Sequence, residues 1–296
     1  MTSSNKKIYF AVISFWGLLC ALAWVAVWDL NRSSLIEVNF FNVGQGDSLL
    51  IQISGQNQIL IDGGPDNTIL EKLGREMPFW DRTIELVVLT HPEEDHLSGL
   101  IEVLKRYEVE NILVTGVAKD TGINKKWLEL VKQEKAVVWI AEANLRITCG
   151  NAVLEILYPS NSLIDSSLSD YQPPEKNINN TSIVSRLLFG SDKFLFTGDI
   201  SKSLEKELLA KEVDISADVL KVAHHGSSGS TSEAFVVVVA PEIAVISVGE
   251  DNKFGHPRLE VLEILEKSGI RILRTDQQGD VKIQSDGENL SWEVEK

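Results

Sequence analysis

The order of elements in this 296-residue sequence predicts an α/β protein, either a four-layer αββα sandwich or an open doubly wound sheet, preceded by one N-terminal transmembrane helix. Three observations predict it. Strand-like apolar runs crowd the start of the chain, alternate with helical runs through the middle, and return at the end. Two halves, each with its sheet inside and its helices outside, satisfy that order in four layers, although layer logic also permits an open doubly wound sheet. Ahead of everything else lie 21 consecutive uncharged, mostly apolar positions, Ile8 to Trp28, long enough for about one bilayer crossing as a helix.

Lys6 and Lys7 precede that run and Asp29 follows it. Positive charge on the N-terminal side favours keeping that end in the cytoplasm. The expected organisation is therefore an anchor over residues 1–30 and one domain over 31–296, single-pass in the cell membrane with the domain extracytoplasmic. The rival is a signal peptide cleaved near Ala21-Leu22-Ala23, which would leave a secreted protein, but the apolar core of a signal is usually shorter than this run. A buried core helix would normally show a polar face.

Hydrophobic residues make up 44% of the chain, enough for a sizeable core. The two cysteines, Cys20 and Cys149, are far apart and form no Cys-x-x-Cys pair, so they say little about compartment. The net charge is −15, and the part after the anchor is two charges more negative, because Lys6 and Lys7 are the only charges before Asp29. That argues against whole-surface binding to nucleic acid. It leaves a phosphate substrate open, because bound dications reverse the local sign.

Residues 36–43 read as a strand entering the turn Gly44-Gln45-Gly46. Strands follow at 49–53 and 58–61, separated by Ser54-Gly55-Gln56-Asn57. A helix is expected at 68–75, a buried strand at 84–89, a helix at 97–106 and a strand at 111–114. Next come a helix at 124–134 and strands at 136–140 and 152–157. Residues 160–180 are polar, contain Pro173-Pro174, and read as a long loop; such loops are often lids, though nothing in this composition requires that. Strands at 181–189 and 193–196 form a hairpin around Gly190-Ser191-Asp192. A helix at 203–211, a strand at 218–222, a helix at 232–239, a strand at 243–247, a helix at 258–268 and a strand at 271–273 continue the alternation. Strands at 281–284 and 290–294 close the chain.

Chemistry-bearing residues sit where apolar strands end, as they do in α/β folds generally. Asp62 follows the 58–61 strand, His91 the 84–89 strand, Asp199 the 193–196 strand, and His224 and His225 the 218–222 strand; a loop after 243–247 leads to His256. All five histidines fall in three short motifs, with His91 and His96 in Thr90-His91-Pro92-Glu93-Glu94-Asp95-His96. Neutral imidazole beside carboxylate suits zinc, manganese or iron. His91 and Glu93 can point one way from a tight loop, with Asp95 and His96 entering the same hollow from the start of the next helix. Asp199 could bridge two metals, although it also suits a helix N-cap. Asp62 suits either an Asp-Gly turn or the orientation of a ligand histidine. Neighbours on an extended segment point to opposite sides, so one of His224 and His225 is expected on the metal and the other against protein or substrate. Ser227 offers donors for an anionic group. His256 is a candidate ligand or general acid, with a plain capping loop as the bland alternative.

These motifs resemble the metallo-β-lactamase superfamily, and within it the hydrolase-like domain of the ComEC family of bacterial DNA-uptake channel proteins. The matching pieces run in family order: Phe41-Asn42-Val43-Gly44-Gln45-Gly46-Asp47-Ser48, Leu60-Ile61-Asp62-Gly63-Gly64, Thr90 to His96 with Ser98-Gly99-Leu100, Asn179-Asn180-Thr181-Ser182, Phe196-Thr197-Gly198-Asp199, Ala223-His224-His225-Gly226-Ser227, Gly255-His256-Pro257 and Arg274-Thr275-Asp276. The resemblance implies the αββα fold. There are departures. Glu93 replaces the middle histidine of His-x-His-x-Asp-His, which shifts preference toward harder metals such as manganese. Asn42 stands where the branch often has Asp. Near Asn180, where other members present a further histidine, there is only amide and hydroxyl, so one metal position is expected to be weaker. The many spans of the full channel are not in this sequence, so transport is not expected of this chain itself.

The expected activity is a membrane-anchored, metal-dependent hydrolase of phosphodiester bonds, with DNA among its candidate substrates and one or two zinc or manganese ions as cofactors. His91, Glu93 and one of His224 or His225 would hold one metal, and Asp95, His96 and Asp199 would hold or bridge the second. Hydroxide generated on the metal would attack phosphorus. Asp95 and His256 are the candidate catalytic residues, and Ser227, Asn180 and His256 the candidate substrate contacts. Hydrolysis of a lactone, ester or amide by the same chemistry is the alternative. A non-catalytic partner of a membrane assembly is a third reading, against which stand the intact His91, Asp95, His96 and Asp199.

Overall fold

The computed structural model describes residues 3–32, 35–53, 57–160 and 177–296. A long helix α1 (Ser3–Arg32) comes first. The first half then runs β1 (Ile36–Phe40), β2 (Leu49–Ile53), β3 (Asn57–Ile61), α2 (Thr68–Glu76), β4 (Thr83–Val88), α3 (Glu94–Leu104), β5 (Glu108–Val114), α4 (Gly122–Gln133) and β6 (Val137–Ile140). The second half runs β7 (Arg146–Cys149), β8 (Ala152–Tyr158), β9 (Val184–Phe189), β10 (Asp192–Phe196), α5 (Lys202–Ala210), β11 (Val219–Lys221), α6 (Glu233–Val239), β12 (Ile243–Ile246), α7 (Leu259–Lys267), β13 (Arg271–Arg274) and a short α8 (Thr275–Gln278). β14 (Val281–Ser285) and β15 (Leu290–Val294) return to the first sheet.

The strand order is β15-β14-β1-β2-β3-β4-β5-β6 in one sheet and β13-β12-β11-β10-β9-β8-β7 in the other. Period-two side-chain alternation explains why they stack. Ile36, Val38 and Phe40 of β1, Ile59 and Ile61 of β3, and Phe194 and Phe196 of β10 all enter one core between the sheets. The alternate positions, such as Leu50, Leu60 and Val87, face α2, α3 and α4. Leu195 and Leu220 face α5 and α6 in the same way, and Ala244 and Ile246 face α7. Strands apolar on both faces are what a sheet covered on both sides requires. Each fully buried Leu, Ile or Phe stabilises the layers by about 1.5–3 kcal/mol. This is the αββα sandwich, not the open sheet.

The site-bearing strands run parallel within each sheet, β3 with β4 and β10 with β11 and β12. Their carboxyl ends therefore open on the same edge of their sheets.

Three expectations need correction. The 181–189 strand begins only at Val184, because Ile178–Thr181 forms a 3-10 turn; most of the expected 160–180 loop lies outside the described residues. The strand at β7 escaped notice because its four residues offer only Ile147 and Cys149 as partly buried side chains at a sheet edge. The segment carrying His224 and His225 is not extended: it is a 3-10 turn, Ala223–Gly226, with both histidines at left-handed φ, 50° and 54°.

At the N-terminus, α1 exposes Val12, Ile13, Phe15, Trp16, Leu18, Trp24 and Val25. Among the described residues no helix is long and apolar enough to cross a membrane.

Candidate functional site

Loops leaving β1, β3, β4, β10 and β11 bring a set of buried acids and imidazoles together. After β4 the chain turns through Thr90 and His91, and α3 starts with Glu94, so Asp95 and His96 occupy its first turn. This helix lies against the β3–α2 loop: the Gly63 amide donates to the His96 carbonyl at 2.7 Å, and the Gly99 amide to the Gly64 carbonyl at 3.0 Å. A Cβ on Gly99 would stand 1.9 Å from the Gly63 carbonyl oxygen, so only glycine allows the approach. The β1–β2 loop is tied to the same helix by the Asp47 amide, which donates to the Asp95 carbonyl at 3.2 Å.

Three histidines are held in one tautomer. His96 Nδ1 lies 2.7 Å from Asp62 Oδ2 and donates to it. His225 Nδ1 donates to the Ser247 carbonyl at 2.9 Å. Thr90 Oγ1 spends its proton on Asp62 Oδ2 at 2.6 Å, so it accepts from His91 Nδ1 at 3.1 Å. Asp62 also accepts from the Thr90 amide at 2.8 Å. With every Nδ1 engaged, His91, His96 and His225 each present Nε2, and all three Nε2 atoms are buried without a hydrogen-bond partner, as is Asp199 Oδ1. Buried polar atoms left unpaired are costly and rare; pinned imidazoles with a free nitrogen are how metal-binding histidines are presented.

The spacing fits a cation. Asp199 Oδ2 is 3.4 Å from both His96 Nε2 and His225 Nε2, and Asp95 Oδ2 is 3.4 Å from His225 Nε2. Asp95 Oδ1 is 3.9 Å from His96 Nε2. Ligands about 2.1 Å from a tetrahedral ion stand about 3.4 Å apart. Asp95, His96 and His225 thus form one donor group, and Asp199 stands against both of its histidines. His91 joins His96 and Asp199 in a second group, and Asp47 joins Asp199 and His225 in a third. Each histidine has one free nitrogen, so the second group supplies only His91 and a shared Asp199 to a further ion.

Charge is balanced by neighbours rather than water. Burial opposes the imidazolium form of His96, but Asp199 and Asp62 outweigh it and hold its pKa well above the ordinary value. Asp199 and Asp47 do the same for buried His225. Burial likewise opposes the Asp199 carboxylate, yet His225 and His96 keep it well below the usual range. Burial and the His96 charge push His91 down to about 3. Asp47 is itself ion-paired with Lys221. Lys221 is buried, donates to the Gly198 carbonyl at 3.1 Å and lies 3.7 Å from Asp199 Oδ1.

The structure brings His91, Asp95, His96, Asp199 and His225 together, with Asp62 behind His96. It does not bring in Glu93, whose carboxylate accepts from Lys119 Nζ at 2.7 and 2.8 Å. Of the paired histidines, His225 enters the donor set. His224 is part-exposed, with Nε2 4.0 Å from Asp199 Oδ2 and 3.3 Å from Asn179 Nδ2. Asn180 turns away: its Oδ1 accepts from the Ser201 amide and hydroxyl at the start of α5. Ser227 Oγ accepts from the Gly229 amide at 3.3 Å. His256 packs against His224, with ring centroids 5.6 Å apart. In the metal-free protein, burial and the nearby His225 and His224 charges lower its pKa to about 4.

Sequence reasoning gave no individual role to Asp47, Asn179 and Thr90, which lie in the matching motifs, and passed over Lys221. Lys221 carried a readable signal, a charge inside an apolar strand that must find a partner. Asp47 follows a glycine-rich turn at yet another strand end.

An αββα sandwich with imidazoles and carboxylates gathered at its strand ends defines a class of metal-centre proteins. The chain belongs to the metallo-beta-lactamase superfamily, whose model matches residues 41–145 and 173–250. It is 28% identical over 283 residues to "ComE operon protein 3" of Bacillus subtilis, covering 90% of this chain and 35% of that protein. "Recombination protein 2" of Haemophilus influenzae is 28% identical, with 94% and 32% covered. "Competence protein ComA" of Neisseria gonorrhoeae is also 28% identical, with 82% and 31% covered. The similarity expected to ComEC-family competence proteins is thus found along most of the chain, which spans about a third of the length of these relatives. CmlA, a diiron beta-hydroxylase from Streptomyces venezuelae, is similar in fold, with a TM-score of 0.50, 14% identity, and 81% of this chain and 52% of that chain covered.

Proposed function

We propose that this chain is a metal-dependent hydrolase of phosphodiester bonds. One observation carries the reading: Asp95, His96 and His225 form one donor group and His91, His96 and Asp199 another, with the imidazole Nε2 atoms buried and unpartnered. A divalent cation bound there supplies Lewis acidity toward an anionic oxygen and lowers the pKa of water. The chain's own residues do the rest. Asp62, Thr90 and the Ser247 carbonyl fix the imidazole tautomers. His91 extends the set on one side. Lys221 neutralises Asp47 and steadies the Gly198 turn that carries Asp199. At the mouth, His224, Asn179 and His256 present neutral polar groups that can hydrogen-bond a bound phosphodiester oxygen. The competence proteins among the relatives make DNA the first substrate to try.

We also infer a membrane location through Ile8 to Trp28, with the catalytic domain extracytoplasmic. The uncharged run and its flanking Lys6 and Lys7 support it. So does an exposed aromatic pair, Phe79 and Trp80. Trp80 shares a groove of about 470 Å³ with Leu35, just beyond α1; such aromatics suit a headgroup layer. Recovery of the full-length chain in the carbonate-washed membrane fraction is expected, and recovery in the supernatant would refute the location.

For the activity, full-length protein supplied with manganese or zinc is assayed on bis(4-nitrophenyl) phosphate, a DNA oligonucleotide and a lactone. Phosphodiester turnover that Asp199→Asn abolishes is the expected result. Turnover of the lactone alone would favour an ester or lactone hydrolase, a reading that the −15 net charge mildly supports.

A further inference from the structure

We propose that Phe254, stacked on His256, is a platform for a nucleobase of a single-stranded substrate whose phosphodiester lies at the metal centre; this rests on the phosphodiester reading above. A line of rings leads outward from the donor set. His225 and His224 lie 6.1 Å apart between ring centroids, His224 and His256 5.6 Å, and His256 and Phe254 5.8 Å. The last pair is near-parallel, at 24°, and Phe254 is 60% exposed. The outermost ring therefore offers a free face to solvent a few ångströms beyond the residues that would hold the phosphate.

The loop that carries Phe254 is held in place. Asn252 Nδ2 donates to the Gly249 and His256 carbonyls, both at 2.8 Å, and Asn252 Oδ1 accepts from the His256 amide at 2.9 Å. These bonds close the loop around Phe254. The Arg258 amide donates to the Gly226 carbonyl at 2.8 Å, tying the loop to the turn that carries His224 and His225. A lone exposed phenylalanine on a surface means little. One presented by a clamped loop beside a metal-ligand cluster is preorganised for contact.

The flanking charges agree. Lys253 and Arg258 make no salt bridge among the described residues and are exposed on both sides of Phe254. Glu250 and Asp251 precede them, so the local charge is nearly balanced and stacking must supply most of the affinity. Base–aromatic stacking tolerates any base and is the usual grip on single strands. A base can lie on Phe254 only when it is free of its own stack, so duplex is excluded unless its end frays.

Fluorescence anisotropy of the full-length protein in calcium tests this, with a labelled oligothymidine, the same length of abasic backbone, and a duplex. Wild type is expected to bind oligothymidine best. Phe254→Ala is expected to weaken that binding roughly 5- to 100-fold while leaving the abasic strand unchanged. Phe254→Trp is expected to keep it, and Phe254→Leu, which preserves bulk without a ring, to behave as the alanine variant. Equal wild-type affinity for thymidine and abasic strands, duplex bound as tightly as single strand, or an unchanged Phe254→Ala would overturn the inference. Cleavage of the same oligonucleotides with manganese is read in parallel. Failure of wild type to cleave any of them would refute the phosphodiester reading, and the binding comparison would still decide the role of Phe254.

Discussion

Replacing Asp62 with asparagine should loosen the metal without touching a ligand. Asp62 accepts three hydrogen bonds, from the Thr90 amide at 2.8 Å, the Thr90 hydroxyl at 2.6 Å and His96 Nδ1 at 2.7 Å. An asparagine has one acceptor oxygen for all three. If its oxygen faces His96, its NH₂ meets the Thr90 amide donor head-on. If it turns over, the NH₂ faces His96 Nδ1, which must then accept, and the ring proton moves to Nε2 among the metal donors. Changes of this kind behind a ligand typically cost 10- to 100-fold in metal affinity, about 1.4–2.7 kcal/mol. Competition against a chromophoric zinc indicator reads it directly. Thr90→Val supplies the internal comparison: it leaves the His96–Asp62 bond intact but removes the acceptor for His91 Nδ1 and one of the three bonds to Asp62, so its effect should fall mainly on the weaker ion. An Asp62→Asn protein that is folded by circular dichroism and binds zinc within twofold of wild type would refute the tautomer argument.

Four further outcomes follow from the same geometry. Metal binding should release the protons of His96 and His225, whose metal-free pKa values are raised by Asp199 and its neighbouring acids against the cost of burial; calorimetry in buffers of different ionisation enthalpy should show proton release and an affinity that rises with pH. The sign for stability is opposite: the contribution of these two imidazolium groups is complete below about pH 6.5 and is lost as pH rises through their folded values, so the metal-free protein should melt lower at alkaline pH than near neutrality. Lys221→Met removes the cation nearest the buried Asp47 carboxylate, leaving it only His225 and His96, and should destabilise the metal-free protein by about 3 kcal/mol, the low end for a broken buried pair, with Lys221→Met/Asp47→Leu recovering much of it; a single variant as stable as wild type in urea would show that the pair carries no weight. Gly99→Ala puts a methyl into the Gly63 carbonyl and should cost about 1–3 kcal/mol while also weakening zinc binding, because α3 carries both Asp95 and His96.

Much of the fold was legible because both sheets are covered on both faces. Runs such as Leu49–Ile53 and Ile243–Ile246 are apolar enough to be strands wherever they pair. β7 was not legible, since an edge strand of four residues with two inward side chains carries little periodic signal. At the site, the residues at strand ends were readable from chemistry and position alone. Their directions were not. Left-handed backbone at both His224 and His225 cannot be read from side-chain type, and it decides which imidazole enters the cluster. Glu93 was read as a ligand from its place in the motif, whereas Lys119, 26 residues on, takes its carboxylate. Asn180 and Asn179 are chemically alike, and only the turn at Ile178–Thr181 sends one to α5 and the other to His224. These are tertiary choices between neighbours that local sequence leaves open.

The most direct test of the metal centre is elemental analysis of the purified full-length chain, beside Asp95→Ala/His96→Ala, after zinc or manganese loading and exhaustive dialysis. The overlapping donor groups that share His96 and Asp199 predict about one tightly held equivalent, a second seen only with excess free metal, and loss of the tight ion in the variant. A wild-type chain that retains none, or a variant that retains as much as wild type, would contradict the account.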